Sequence, residues 1–222
     1  MAIHISKGNG KTGIWSFNLL AGDKTAEYDG VAPKKSVESI GRPCGTCTGN
    51  CPSCYAKRMT RYPAVYANMV ENTLSARLDP VATVAAVEKE LYSGGESPAL
   101  FRIHDSGDFF SYEYFAAWVD MIRRHPETRF GAYTKESGIV NRYGIENLPT
   151  NFSLSCSPWE GFCDAIGDLP QFCYDDGSKP EYAPLPHCPA VDKNGKRTGI
   201  MCKDCGHCYR AKRGDVWAVY AH

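Results

Sequence analysis

The chain has 222 residues, of which 43% are hydrophobic and 23% charged, with 25 basic side chains against 25 acidic ones. This is the composition of a globular protein, long enough to bury one sizeable core, and its balanced charge excludes a broad electrostatic attraction to nucleic acid or membrane. No apolar run approaches the roughly 20 residues of a membrane helix, and Met1-Ala2-Ile3-His4-Ile5-Ser6-Lys7 has no signal-peptide core, so no membrane association and a cytoplasmic location are expected.

Residues 1–43 read as irregular, with one strand near residues 14–20. Gly8-Asn9-Gly10-Lys11-Thr12 looks like a fragment of a phosphate loop, but it lacks the first glycine and the preceding strand. Pro63 suits a first helical turn, and Ala64 to Leu78 contains no breaker. Asp79-Pro80 reads as a cap and first-turn proline of the next helix, which Gly94-Gly95 ends. Residues 99–104 read as a strand, followed by the turn Asp105-Ser106-Gly107-Asp108. Ser111 can cap a helix in which Phe115, Trp118, Val119 and Ile122 hold the core period, so the aromatic run from Phe109 to Trp118 is expected to be packing. His125-Pro126 stops this helix, and strands are expected at Arg129–Thr134 and Asn151–Ser155. Strand, helix, strand at this spacing makes a βαβ unit with a parallel sheet. From Pro158 onward the chain is rich in Pro, Gly and Asp, and an irregular segment is expected.

Eleven cysteines are the outlying number, and eight of them fall in two groups. An odd count without an export signal favours metal ligation over disulfides. The first group, Cys44-x2-Cys47-x3-Cys51-x2-Cys54, puts four thiolates within eleven residues. Thiolates select zinc, copper(I) or iron–sulfur clusters. Structural zinc sites usually separate their two Cys-x2-Cys halves widely, whereas a cluster tolerates one dense run. The second group is Cys202-x2-Cys205-x2-Cys208, with Cys188-Pro189 upstream as the natural fourth ligand. Its triplet resembles the ferredoxin ligand run. Zinc is the alternative, with His187 or His207 in the set. The bland reading is buried or idle thiols. Cys156 is expected in the core, and Cys163 and Cys173 as spare loop thiols.

Three features line up in order. Cys47-x3-Cys51-x2-Cys54 has the spacing of the cluster-binding loop of the radical S-adenosylmethionine (SAM) superfamily. Farther on, a strand ends in Ser106-Gly107-Asp108, which looks like the small-Gly-acid turn that holds the methionine amine there. The next strand ends in Thr134-Lys135, where that half-barrel places polar residues on its open face. The stretch from Arg102 to Lys135, with Leu148-Pro149-Thr150-Asn151-Phe152, resembles a phage-encoded family, the gene-product-eighty-eight-like family. The resemblance covers roughly residues 44–158. It implies an α/β fold, a partial (half) TIM-like barrel with parallel strands, followed by an irregular cysteine-rich C-terminal segment. It also implies a phage source, and hence a host bacterial cytoplasm. One domain over residues 1–222 is expected, with 44–158 as the barrel core and 159–222 as a metal-binding extension.

The turn His104-Asp105-Ser106-Gly107-Asp108 has two readings. Ligands of open α/β sheets bind at strand carboxyl ends, and a His beside two Asp could bind metal or grip an amine. Equally, Asp and Ser cap the following helix, Gly permits the turn, and the His is a satisfied strand-end residue. With Thr134 and Lys135, these five are the ligand-binding candidates.

The leading reading is a phage iron–sulfur protein. One or two clusters of the 4Fe–4S type would be held by Cys44, Cys47, Cys51, Cys54, Cys188, Cys202, Cys205 and Cys208, in an electron-transfer, redox or cluster-dependent binding role. A radical-SAM enzyme is the second reading. It needs an iron free of protein ligands, and Cys44 offers a fourth thiolate, so SAM as a cosubstrate is not favoured. A zinc-stabilised module is the third, contacting nucleic acid or a host protein through a basic patch at Arg197, Lys203, Arg210, Lys212 and Arg213.

Overall fold

The structure, a computed structural model, describes residues 3–8, 12–30, 32, 34, 42–48, 54–95, 97–158 and 165–221. Cys51, Cys163 and residues 9–11 of the glycine-lysine fragment lie outside the described residues.

Among the described residues, seven strands form one sheet in sequence order: β1 (Ile5–Ser6), β2 (Trp15–Phe17), β3 (Leu100–Ile103), β4 (Arg129–Thr134), β5 (Phe152–Cys156), β6 (Gln171–Asp175) and β7 (Val216–Tyr220). β1 pairs antiparallel with β2, and every later neighbour is parallel. Parallel neighbours need crossover connections. Between β2 and β3 these are α1 (Tyr55–Met59), α2 (Pro63–Leu78) and α3 (Pro80–Tyr92). α4 (Tyr112–Arg124) joins β3 to β4, and α5 (Ser137–Tyr143) leads toward β5. Among the described residues the sheet stays open, with β1 and β7 as its edges. The architecture is therefore mixed α/β with a mostly parallel sheet.

Strand register sorts the side chains. Phe17, Ile103, Ala132 and Leu154 are cross-strand neighbours on one face, as are Phe101, Phe130 and Phe152. Against them pack Val84, Val87 and Leu91 of α3, Phe115, Trp118, Val119 and Ile122 of α4, and Val140 of α5. Each large side chain fully buried in this way contributes roughly 1.5–3 kcal/mol. The Trp118 ring lies 5.9 Å from Phe17 and 6.2 Å from Phe101, so the aromatic run is core packing. The caps read from sequence are present: Asp79 accepts from Ala82 N at 2.8 Å, and Ser111 accepts from Tyr114 N at 3.2 Å.

The segment after residue 158 corrects the expectation of an irregular extension. β6 and β7 continue the same sheet, joined by a long connection that carries α6 (Cys202–Cys205) and the 3-10 turn His207–Tyr209. Periodicity does not reveal them, because β6 is five residues long and no long helix marks the crossover. Cys173 is likewise not a loop thiol; it is buried in β6 beside Ala218. The sheet also begins before residue 44, since β2 supplies Phe17 to the core.

Glu88 of α3 ties the helical layer together. It accepts from Arg124 Nε and Nη2 at 2.9 and 2.7 Å and lies 2.7 Å from His125 Nε2. The Arg124 hydrogen bond, more than the His125 contact, holds its carboxyl below the usual range. A carboxyl depressed on folding stabilises the protein above its unfolded pKa, and that stability is lost as pH falls through the folded one. Urea unfolding should therefore show the native chain more stable than Glu88→Gln near neutral pH. The expected gap is about 1 kcal/mol or less, since Arg124 is half exposed. The gap should close as pH is lowered to about 3; a gap independent of pH would contradict this role.

Candidate metal-thiolate site

The carboxyl ends of β2, β3 and β4 are bound into one network. Asn18 Oδ1, just past β2, accepts from Asp105 N at 2.7 Å and Ser106 N at 3.3 Å. Ser106 Oγ donates to Leu19 O at 2.8 Å, and Leu19 N donates to Ser106 O at 2.9 Å. Gly107 has φ 89°, and a Cβ there would stand 2.7 Å from both Leu19 Cβ and Thr46 Oγ1, so only glycine fits. Asp108 Oδ1 accepts from Thr134 Oγ1 at 2.7 Å and Phe109 N at 2.8 Å, and Oδ2 accepts from Lys135 N at 2.9 Å. Asp108 N donates to Thr46 Oγ1 at 3.1 Å, and that hydroxyl donates to Leu20 O at 2.7 Å. Burial first, and then the nearby Glu136 charge, push the Asp108 carboxyl up to about 6. Glu136 is itself buried, taking Lys24 Nζ at 2.8 Å on Oε2 while its Oε1 has no hydrogen-bond partner.

Among the ligand-binding candidates, Ser106, Gly107, Asp108 and Thr134 meet in this network, and Lys135 joins it through its backbone N–H. His104 does not. Its left-handed backbone, φ 63°, sets its ring among Phe109, Tyr114 and Trp118 in the helical core. There Nε2 sits 2.9 Å from the Tyr114 hydroxyl, and burial, helped by the Arg102 charge, pushes the imidazole down to about 3. His104 is thus a buried strand-end residue, but not a satisfied one, since its Nδ1 has no hydrogen-bond partner.

The first cysteine loop lies on the same strand ends. Cys47 N donates to Gly22 O at 2.8 Å, Lys24 N to Cys47 O at 2.9 Å, and Arg77 Nη2 to Gly45 O at 2.5 Å. Cys44 bridges to Glu27, and Cys54 is the N-cap of α1. Burial above all, then the charges of Asp108 and Cys54, drive the Cys47 thiol well above its ordinary pKa. Cys47 and Cys54 are thus close enough to sense each other.

The second group packs on the sheet face opposite the helices. Cys188 N donates to Ala218 O of β7 at 2.8 Å. Gly206, left-handed at φ 58°, ends α6 and swings Tyr209 over Gly131 of β4, where a Cβ would stand 2.7 Å from the Tyr209 ring. Cys208 then meets Tyr133, whose hydroxyl donates to its sulfur. Burial raises the Cys208 thiol, the Tyr133 hydrogen bond and the Arg102 charge lower it, and Cys188 and Cys205 raise it again. The charges of Cys188 and Cys205 thus reach Cys208. Tyr55 connects the two groups: its hydroxyl donates to Asp105 O at 2.5 Å, and its ring senses both Cys54 and Cys202.

The nine described cysteines are free thiols. Among the described residues, no three Cys, His, Asp or Glu side chains stand together in finished metal-ligand geometry. The donor set nonetheless suits a soft metal, since thiols deprotonate to bind such a cation and Cys47 and Cys208, raised by burial, would be relieved by one. His187 does not fit a zinc set, because both ring nitrogens are engaged, Nδ1 with Leu185 O at 2.7 Å and Nε2 with Asp175 Oδ2 at 2.9 Å. His207 packs edge-on against Trp217 with ring centres 5.2 Å apart. Of the basic patch, Arg210 donates to Cys205 O at 2.5 Å and Arg213 to Ile145 O at 2.7 Å. Arg197, Lys203 and Lys212 are exposed.

Sequence reasoning did not place Arg102, Tyr133 or Tyr209 at the site. Arg102 stacks over Tyr133 at 4.0 Å, donates to His104 O at 3.2 Å and lies 3.9 Å from Asp105. Burial works against its charge, but Tyr133 and Asp105 outweigh burial and keep it protonated. The available signal was an arginine in the middle of an apolar parallel strand, where a charge needs a reason to be buried.

Among the described residues no helix is long and apolar enough to cross a membrane. No solved structure matches the chain. The family described as Gene product 88 matches residues 11–211. The Gene 88 protein of Mycobacterium phage L5 is 30% identical over 82% of this chain and 87% of its own length. The Gene 88 protein of Mycobacterium phage D29 is 27% identical over 56% of each chain. A match across nearly the whole chain, with a relative of that coverage, means that the chain belongs to the Gene product 88 family of phage proteins.

Proposed function

We propose that this phage protein is an iron–sulfur protein of the host cytoplasm, with an electron-transfer or redox role. The observation that carries the reading is the gathering of distant thiols. Cys208 follows Gly206 in the turn whose Tyr209 covers Gly131 of the sheet, Cys188 is hydrogen-bonded to β7 of the same sheet, and the charges of Cys188 and Cys205 reach Cys208. Cys44, Cys47, Cys51 and Cys54 would hold one centre, and Cys188, Cys202, Cys205 and Cys208 a second. A bound 4Fe–4S cluster supplies one-electron exchange at potentials set by its surroundings. The protein's own part is to hold the thiolates and to keep Cys47 and Cys208 half-buried.

The open sheet, with sequential parallel strands and its glycine turn at their carboxyl ends, supports kinship with the partial barrel of the radical-SAM superfamily. The enzyme reading is less well supported. The polar groups of Ser106 and Asp108 are spent inside the fold, on Leu19, Thr134, Lys135 and Phe109. A turn so occupied has little left to offer the amine of a cosubstrate.

Protein purified without oxygen should be brown and contain iron and acid-labile sulfide in near-equal amounts; stoichiometric zinc without sulfide would refute the reading. Cys202→Ala, Cys205→Ala and Cys208→Ala should each bleach much of the visible absorbance, while Cys156→Ala, in the core, should leave it. After reduction with dithionite, added SAM should yield no 5′-deoxyadenosine above a cluster-free control. Turnover above that control would restore the enzyme reading.

A further inference from the structure

The sheet face beneath the second cysteine group carries more hydrogen-bond donors than the protein uses. Register puts Tyr133 beside Ser155, and Gly131 beside Ser153, on the face opposite the helices. On this face Phe172 lies 4.7 Å from Tyr133 and 5.7 Å from Trp217, ring centre to ring centre. The 3-10 turn carrying Cys208 packs on β4 and β5 here, and the Trp217 ring meets His207, the residue before Cys208. Three side-chain groups on this face, Ser153 Oγ, Ser155 Oγ and Trp217 Nε1, are buried without a hydrogen-bond partner. Ser155 is 1% exposed and Trp217 2%. An unpaired buried donor costs roughly 1–3 kcal/mol, so three on one face call for an acceptor. Arg102 adds a full positive charge at the same place, held over Tyr133.

We propose that Tyr133, Ser155 and Trp217, with Arg102, form a donor-lined floor that hydrogen-bonds the sulfur atoms of an anionic metal–sulfur centre held by Cys188, Cys202, Cys205 and Cys208, and raises its reduction potential. This rests on the iron–sulfur reading. The residues are positioning and electrostatic groups, and none of them is a ligand. Reduction adds one electron to the centre and makes or breaks no bond to these side chains. It does add negative charge next to the donors, so they favour the reduced form. Zinc bound by the same thiolates has no such couple.

The test is a dithionite-mediated redox titration, without oxygen, of the native protein and of Tyr133→Phe, Ser155→Ala and Trp217→Phe. Each change deletes a donor and keeps most of the side chain's shape. Iron and sulfide content should match the native protein, and the midpoint potential should become more negative. A tenfold weakening of electron affinity is about 59 mV for a one-electron couple. Thr83→Val removes another unpartnered buried hydroxyl, on α3 in the helical layer, and should leave the potential unchanged. In metal-free protein, Ser155→Ala should be at least as stable to urea as the native chain, because it removes an unsatisfied hydroxyl. A purely packing role predicts lower stability and no potential shift. Unchanged potentials with intact clusters would overturn this inference alone. Loss of the cluster from folded variants would overturn it too, making these residues necessary for binding. Absence of iron from the native protein would take the iron–sulfur reading down with it.

Discussion

The Asp108 carboxylate is the point on which the rest of this architecture depends. It is buried, and it takes donors from its own turn, from the end of β4 and from the backbone just beyond. Its amide reaches Thr46, inside the first cysteine loop, and Thr46 reaches Leu20 behind β2. Three strand ends and the first cysteine loop are thus registered on one residue. A buried carboxylate is tolerated only when so fully hydrogen-bonded, and the pressure of burial and of Glu136 measures the cost. Gly107 belongs to the same constraint, because the turn can press against Leu19 and Thr46 only without a side chain.

The central part of the fold was legible in the sequence because local signals there agree with tertiary need. Pro63, Asp79-Pro80 and Ser111 mark helix starts that the structure keeps. Phe115, Trp118, Val119 and Ile122 hold a helical period because one face of α4 meets a flat sheet. β6 and β7 were not legible. Their pairing is with each other across a long connection, and nothing local announces a partner so far away in the chain. A two-residue β1 and the seven-residue α5 escape for a related reason: elements that short are made by their neighbours.

The candidate site shows the same division. The cysteine groups stand out by spacing alone. The surroundings of those thiols do not, because Arg102, Tyr133, Ser155 and Trp217 come from four different strands and converge only through register. His104 illustrates the opposite hazard. Next to two aspartates in sequence it resembles a ligand, yet one left-handed backbone torsion turns it into the aromatic core, where it is neutral. Composition identifies which side chains are available; the pleat and a single torsion decide which face they serve.

The two faces of the sheet differ in chemical character. The helical face is mostly aliphatic and aromatic, whereas the other buries two serines and a tryptophan beside the half-buried Arg102 and Tyr133. The backbone of Cys188 hangs on Ala218, a residue of the last strand. During synthesis on the ribosome, Cys188, Cys202, Cys205 and Cys208 therefore all emerge before the strand that aligns the first of them. The earlier cysteine loop meets no such delay, since its anchors at Gly22, Lys24 and Asp108 are made well before translation reaches β6. Any metal reaching the nascent chain would find the early thiols anchored first, which gives the two groups an order of maturation fixed by topology.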